Sequence, residues 1–322
     1  MGRILLLQLS YCHTYKISPQ NYKKDWEYAP KEQKYYNKVS AVLFRMGHET
    51  RLIFLSSAIT KGKRTTFVSK FYSIYMQTSD SIVIIPTYNE RENIENIIRA
   101  VFGLPQVFHI LVIEDGSPDG TAAIVRKLQQ EFPEQLFMIE RKGKLGLGTA
   151  YITGFKWALE HAYEYIFEMD ADFSHNPNDL PRLYQACSEQ GGDVSIGSRY
   201  VSGVNVVNWP MGRVLMSYFA SKYVRFITGI PVHDTTAGFV CYRRQVLETI
   251  DLDHIRFKGY AFQIEMKFTA YKCGFKIIEV PVIFINRELG TSKMNSSIFG
   301  EAIFGVIKLK VNSWFHKFPQ KK

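Results

Sequence analysis

Between residues 81 and 199 the chain alternates short apolar runs with segments whose apolar residues recur every three or four positions. Apolar runs of this length are typical of strands buried on both faces, and the intervening periodicity is typical of helices packed across them. This alternation predicts βαβ units and therefore an α/β fold with a doubly wound, mostly parallel sheet. Ligands of such sheets lie beyond the carboxyl ends of the strands, so the residues after each apolar run are the first candidates for function.

Strands and helices are predicted at the following positions. The strands are expected at Ser81–Ile85, His109–Ile113, Leu136–Ile139, Tyr165–Met169 and Asp193–Gly197. Helices are expected between them at Glu90–Phe102 and Gly148–His161. A third helix is expected to begin with Asp119 as its N-cap and to continue through Leu128. Further helical spacing occurs at Met211–Ile227, Ala261–Cys273 and Ser296–Trp314, and Lys276–Ile285 is expected to be a strand interrupted by Pro281.

Residues 1–75 differ from the rest in charge, with 13 Lys or Arg against 4 Asp or Glu in a chain of net charge +10. A nucleic-acid-binding protein needs its basic patch on the folded domain, so this distribution argues against nucleic acid as a partner. Two interpretations stay open for this segment: translated sequence upstream of a start at Met76, or a basic extension that touches a membrane. We expect the main domain at 76–294, followed by an amphipathic helix and basic tail at 295–322.

The cysteines and the hydropathy indicate the compartment. The four cysteines are far apart and form no CxxC pair, which favours a reducing compartment over a disulfide framework or a zinc site. No stretch reaches the ~18 to 20 apolar residues of a membrane-spanning helix. The sequence therefore predicts a cytoplasmic protein, or one that is peripheral on the cytoplasmic face of a membrane, without a transmembrane helix.

Acidic residues follow three of the predicted strands. Asp170-Ala171-Asp172 follows the fourth strand, and two carboxylates so close repel each other unless a cation lies between them. Oxygen ligands suit Mg²⁺ or Mn²⁺, which are often held by one or two carboxylates together with substrate phosphates. The alternative is an exposed acidic turn. Glu90 and Asp115 follow the first two strands, where each is expected either to cap a helix or to accept hydrogen bonds from a ligand.

Seven sequence blocks in the same order resemble the dolichol-phosphate mannosyltransferases, which are family-2 glycosyltransferases with an A-type fold. The first three blocks are Pro86-Thr87-Tyr88-Asn89-Glu90-Arg91-Glu92-Asn93-Ile94, Glu114-Asp115-Gly116-Ser117-Pro118-Asp119-Gly120-Thr121 and Asp170-Ala171-Asp172-Phe173-Ser174-His175-Asn176-Pro177. The others begin at Gly197, Asp234, Gly259 and Arg287. The resemblance covers about residues 80–310, and it implies a nucleotide-binding Rossmann-like half followed by C-terminal helices.

The resemblance implies a substrate pair and a role for each matched residue. The donor would be GDP-mannose, and the acceptor would be dolichol phosphate or another polyprenyl phosphate. The transfer would invert the configuration of the anomeric centre. The nucleoside would be held by Pro86, Tyr88, Glu90, Ile113 and Asp115. The diphosphate would meet Asp170, Ala171 and Asp172, with Asp172 the chief metal ligand and Asp170 and Ser174 completing the metal site. Arg199 would reach the donor sugar or diphosphate, and Arg287 and Lys293 would clamp phosphates.

A polyprenyl phosphate would need no general base, because a phosphate monoester is largely a dianion at neutral pH. The protein would then accelerate the reaction by positioning the acceptor phosphate and by stabilising negative charge. Candidate cations for this task are Arg213, Arg287 and Lys293. Asp234 is expected either to support the site or to cap a helix. The C-terminal helix, with Lys308 and Lys310, is expected either to lie on a membrane surface or to close the core.

Two other functions fit the same sequence. One is a hexosyltransferase of the same class that takes glucose or another sugar from a UDP-sugar. The other is a non-catalytic module that binds nucleotide sugars, against which the presence of both carboxylates and the matched cations argues.

Overall fold

The chain divides into two compact units, Met1–Thr78 and Ser79–Lys322. The computed structural model describes residues 37–46, 49–60, 63–64, 73–76, 79–259, 261–286 and 297–321, with side chains from 79 to 259, 261 to 286 and 304 to 321.

The first unit contains an antiparallel sheet. Its strands are β1 (Asn37–Met46), β2 (Glu49–Thr60), β3 (Lys63–Arg64) and β4 (Ser73–Met76). β2 pairs with each of the other three. The weakly apolar stretch from Leu52 to Ile59 lies within β2. Both interpretations of the segment stay predictions.

The second unit alternates strands and helices as predicted. Its strands are β5 (Ser81–Thr87), β6 (His109–Glu114), β7 (Leu136–Glu140), β8 (Tyr165–Glu168), β9 (Val194–Ser198), β10 (Val206–Val207), β11 (Val240–Arg243), β12 (Ile277–Pro281) and β13 (Phe284–Ile285). Its helices are α1 (Ile94–Phe102), α2 (Thr121–Glu131), α3 (Leu147–Glu160), α4 (Leu180–Ser188), α5 (Met211–Thr228), α6 (Arg244–Thr249), α7 (Ala261–Lys272) and α8 (Ser297–Phe315), with short 3₁₀ turns at Pro177–Asp179 and Leu252–His254.

Seven strands form one sheet in the order β12-β9-β11-β8-β5-β6-β7. All neighbours are parallel except β11, which is antiparallel to both β8 and β9. A mostly parallel sheet covered by helices confirms the predicted α/β class. The small pair β10 and β13 is parallel and separate from the main sheet.

The sheet is buried on both faces. Along β5, Ile82 and Ile84 enter one apolar cluster while Val83 and Ile85 enter the other, and all four are fully buried. The first cluster includes residues of α3, α6 and α7, and the second includes residues of α1, α2 and α4. At Gly154 of α3 an added Cβ would lie 2.7 Å from Ile84 Cγ2, so the helix lies close against β5. A larger residue at this position would push α3 away from the sheet.

Two local predictions need correction or refinement. The helix expected to start with Asp119 as its N-cap begins at Thr121, with Gly120 at the N-cap in a left-handed conformation that favours glycine. The Asp119 carboxylate nevertheless accepts the Thr121 backbone N–H at 3.0 Å. The expected strand Lys276–Ile285 is divided at Pro281, as predicted, and its two halves, β12 and β13, pair with different partners.

Candidate active site

The Asp170-Ala171-Asp172 segment follows β8 and opens on a cavity of about 470 Å³. Asp172 is 6% exposed, and its Oδ1 accepts the backbone N–H of Ser174 at 3.0 Å. The Asp170 side chain is 41% exposed. Ala171 packs in the core between them. One carboxylate is thus held inside the fold while the other faces the open part of the cavity, and Ser174 lines the same wall.

His175 fixes the backbone of this segment. Its Nδ1 accepts the Asp170 backbone N–H at 3.0 Å, and its ring stacks on Phe239 with centroids 4.9 Å apart. Burial lowers the pKa of His175 to about 4, so at neutral pH the ring is uncharged and Nδ1 can accept this bond. His175 was not predicted to have a role, although it lies in one of the seven sequence blocks.

Arg199 follows β9 and is paired with Asp234 inside the fold. Nε and Nη2 of Arg199 donate to the two carboxylate oxygens at 2.7 and 2.6 Å, and the Arg199 backbone N–H donates to Oδ2 at 2.9 Å. Burial alone would raise the pKa of Asp234, but the charge and hydrogen bonds of Arg199 outweigh it and hold the pKa below its usual value. Of the two roles left open for Asp234, the structure shows the supporting one.

A buried polar chain connects the carboxylate segment to the loop that carries Asp234. Gln263 Nε2 donates to Glu168 Oε2 at 2.6 Å, at the end of β8. Lys267 Nζ donates to Gln263 Oε1 at 3.1 Å and to the carbonyl of Ala237 at 2.6 Å. Burial raises the pKa of Glu168 and lowers that of Lys267. None of these three side chains was given a role from the sequence, since charged and amide side chains are expected at the surface.

The residues predicted to hold the nucleoside lie at the ends of β5 and β6. Asp115 forms a two-bond ion pair with Arg141, with oxygen–nitrogen distances of 2.6 and 2.7 Å. Arg141 was not identified from the sequence. The Glu90 carboxylate accepts a hydrogen bond from Asn93 Nδ2 at 3.1 Å, and Lys144 Nζ lies 5.3 Å from the centre of the Tyr88 ring.

Pro86 and Ile113 face each other across β5 and β6. The Pro86 side chain is half-buried, whereas that of Ile113 is fully buried in the core. The structure therefore brings the five predicted residues to one edge of the sheet, and their contact with a nucleoside stays a prediction.

The candidate phosphate-binding cations either line the cavity or lie outside the described residues. Arg213 of α5 lines the cavity, stacks on Trp209 at 4.0 Å and donates to Asn286 Oδ1 at 3.0 Å. Arg287 and Lys293 belong to residues 287–296, outside the described part of the chain.

The cavity becomes apolar away from the carboxylates. Its remaining wall is formed by side chains of α5, α7 and α8, among them Met216, Phe219, Val224, Ile264 and Val306. Val306 is buried against Val224 and Ile264, so α8 closes this side of the core. The other face of the same helix exposes large apolar side chains: Phe304 at 76%, Trp314 at 67% and Phe315 at 86%. The two roles left open for the C-terminal helix therefore do not exclude each other.

The arrangement of the carboxylates determines how a metal ion could be held. Among residues with described side chains, no group of three or more His, Cys, Asp or Glu side chains could hold a metal ion by itself. Two neighbouring carboxylates beside a cavity fit a cation that takes its remaining ligands from a bound diphosphate and water. Asp170 and Asp172 would hold such an ion.

The comparisons place the chain in a known family. Residues 82–251 match Glycosyl transferase family 2, and the chain belongs to this family. It is 50% identical over 230 residues to a polyprenol monophosphomannose synthase of Mycolicibacterium smegmatis, covering 71% of this chain and 86% of the relative. It is 44% identical over 227 residues to an undecaprenyl-phosphate mannosyltransferase of Micrococcus luteus, covering 70% and 92%.

Solved structures support the fold. A mycobacterial protein of known crystal structure, 17% identical, matches with a TM-score of 0.52 over 72% of this chain and 74% of its own. Together with the family and the mostly parallel sheet, this confirms the predicted fold class. Within the described residues, no helix has both the length and the hydropathy needed to cross a membrane.

Proposed function

We propose that the protein transfers mannose from GDP-mannose to a polyprenyl phosphate such as dolichol phosphate. The observation that carries this proposal is the two-sided cavity, which begins at Asp170 and Asp172 and continues between apolar side chains of α5, α7 and α8. Such a cavity suits a charged diphosphate at one end and a hydrocarbon chain at the other. The names of the two relatives support both the sugar and the class of acceptor.

The donor would lie across the carboxyl ends of the strands. The nucleoside would rest at the ends of β5 and β6, where Arg141 holds Asp115 in place. The diphosphate would meet Asp170 and Asp172 and the divalent cation they hold, Mg²⁺ or Mn²⁺. Such a cation supplies positive charge that stabilises the departing diphosphate. Arg199 lines the cavity with its guanidinium oriented by Asp234, which would direct it towards the donor sugar or diphosphate.

The acceptor phosphate would act as its own nucleophile. Its dianion needs no base, so the protein has to hold it in line behind the anomeric carbon and neutralise its charge. Arg213, Arg287 and Lys293 are the cations proposed for this task. A single displacement of this kind inverts the anomeric centre and gives a β-linked product from an α-linked donor.

We also propose that the protein lies on the cytoplasmic face of a membrane without crossing it. The exposed aromatic side chains of α8 and Phe226 of α5, which is 86% exposed, would insert among lipids beside Lys and Arg residues of the same helices. The three cysteines with described positions, Cys187, Cys241 and Cys273, are free thiols, which suits a reducing compartment.

Replacing Trp314 and Phe315 together by serine should lower binding to anionic phospholipid vesicles by at least about tenfold, because burial of each apolar side chain contributes about 1.5–3 kcal/mol. Flotation of the full chain with vesicles measures the effect. The matched control replaces both residues by leucine, which keeps an apolar surface and should keep most of the binding. Equal flotation of the serine variant and the wild type would contradict membrane contact through this helix.

The donor is tested by transfer of labelled sugar to a polyprenyl phosphate in detergent, with GDP-mannose and UDP-glucose compared at equal concentration. We expect label from GDP-mannose only, and only with Mg²⁺ or Mn²⁺ present. Label from UDP-glucose alone would keep the fold and the site but overturn the mannose assignment.

A further inference from the structure

The wall of the cavity contains buried polar atoms that make no hydrogen bond. Of the cavity-lining side chains that the structure describes, Tyr151 and Trp209 hold such atoms, at Oη and Nε1. Tyr151 is fully buried, whereas Trp209 is partly exposed. Leaving a buried hydroxyl unpaired costs about 1–3 kcal/mol. An unpaired hydroxyl on a side chain that lines a candidate ligand cavity therefore indicates a position where a ligand can supply the partner.

The Tyr151 ring is fixed by packing. It lies on α3, the helix that Gly154 brings close to β5, and stacks almost parallel to Phe262 with centroids 6.0 Å apart. Phe155 stacks against it at 6.2 Å. Burial raises the pKa of the Tyr151 phenol well above its usual value, and the charge of Asp170 adds to this effect, so the hydroxyl keeps its proton. The cavity therefore has a neutral hydrogen-bonding group at a set position near the carboxylates.

Most other polar groups around Tyr151 already have partners; the exception is Glu168 Oε1, which is buried without one and belongs to a residue that does not line the cavity. Gln263 bonds to Glu168 and Lys267, and Nδ1 of His175 bonds to the Asp170 backbone. Both carboxylates have bonds or ionic contacts of their own, including that of Asp172 to the Ser174 N–H. The Tyr151 hydroxyl is thus a buried polar group of this wall whose bonding capacity is still unused.

The chemistry of the surroundings narrows the class of ligand. A phosphate oxygen at Tyr151 would stand among carboxylates and beside a phenol rather than a cation. A sugar hydroxyl is neutral, both donates and accepts, and tolerates the flanking carboxylates. We infer that the Tyr151 hydroxyl binds a hydroxyl group of the donor's hexose and helps to select that sugar. This inference rests on the proposed function, and it adds a sugar contact that the carboxylate segment and the cations do not supply.

Tyr242 provides a matched control. It is also fully buried with an unpaired hydroxyl, but it belongs to β11 in the core and does not line the cavity. In both cases exchange for phenylalanine removes only the oxygen. Because the lost hydroxyl has no partner within the protein, neither exchange should lower stability, and each should raise the melting temperature or leave it unchanged.

The two variants should differ in ligand binding. For Tyr151→Phe we expect the affinity for GDP-mannose and kcat/KM to fall by about tenfold, the loss of one hydrogen bond to a ligand. Its affinity for GDP, which has no hexose, should not change. Tyr242→Phe should match the wild type with both ligands. Isothermal titration with GDP and GDP-mannose, followed by transfer assays, measures these values in the full chain.

Donor analogues that lack one hexose hydroxyl each identify the contact. One of them should bind the wild type and Tyr151→Phe equally, because the bond is already missing. The inference would be overturned if the ratio of GDP-mannose affinity to GDP affinity were the same in the wild type and in Tyr151→Phe. That result would include the case in which the exchange weakens the binding of both ligands by the same factor. Failure of the wild type to bind or use any nucleotide hexose would instead overturn the proposed function, and the inference with it.

Discussion

Replacing Asp172 by asparagine is expected to lower kcat/KM for sugar transfer by at least about 100-fold, the scale on which removal of one transition-state-stabilising group acts. The asparagine side chain can still accept the Ser174 N–H through its oxygen, so the local fold should persist. What is lost is the negative charge that would hold the divalent cation. The metal concentration for half-maximal activity should therefore rise while the melting temperature of the metal-free protein stays close to that of the wild type.

The matched control is the same exchange at Asp179. This residue lies on the 3₁₀ turn that follows the site, pairs with Arg182 and does not line the cavity. Asp179→Asn should leave kcat/KM within about twofold of the wild type, since surface ion pairs contribute little. If Asp172→Asn and Asp179→Asn were equally active, the assignment of Asp172 to the metal would be wrong.

Replacing Asp234 by alanine is expected to lower the free energy of unfolding of the second unit, Ser79–Lys322, by about 3–5 kcal/mol. The reason is that the exchange leaves the buried charge of Arg199 without its partner. The Asp234 side chain is fully buried and that of Arg199 is 9% exposed, so water cannot replace the lost bonds. Urea denaturation of the full chain, followed by tryptophan fluorescence, measures the change. Because the folded-state pKa of Asp234 is depressed, its contribution persists at neutral pH and is lost as the pH falls through that value.

Two comparisons separate this effect from a general loss of contacts. The double variant Arg199→Met with Asp234→Leu should recover much of the lost stability, since apolar side chains of similar size often replace a buried ion pair without cost. Glu95→Gln, which breaks a surface pair with Arg99, should change stability by less than about 0.5 kcal/mol. A small effect of Asp234→Ala would contradict the buried pairing of Arg199.

The sequence predicted the local elements well because their signals are local. The parallel strands β5, β6 and β8 appeared as apolar runs, and Asp170 and Asp172 were found because they follow such a run directly. β11 was missed: it is four residues long and enters the sheet antiparallel between β8 and β9. No local pattern specifies such an insertion, because strand neighbours are chosen by packing across the whole sheet.

The pairings that support the site were not predicted for a related reason: Arg141 and Gln263 were given no role, and Asp234 was identified without its partner Arg199. Asp234 lies 35 residues from Arg199, Arg141 lies 26 from Asp115, and Gln263 lies 95 from Glu168. Sequence spacing carries no information about such pairs, and charged residues are expected at the surface. Motifs therefore identified the carboxylates, Arg199 and Asp234, whereas the pairings between distant residues became visible only in the folded structure.

The most direct test of the proposed function is a comparison of acceptors. Purified protein is incubated with radiolabelled GDP-mannose, a divalent cation and either a polyprenyl phosphate or the polyprenol without its phosphate, and the label in the extracted lipid is counted. We predict rapid labelling of the polyprenyl phosphate and none of the polyprenol, because the phosphate is the nucleophile. Labelling of the polyprenol at a similar rate, or of neither lipid while another acceptor is labelled, would contradict the proposal.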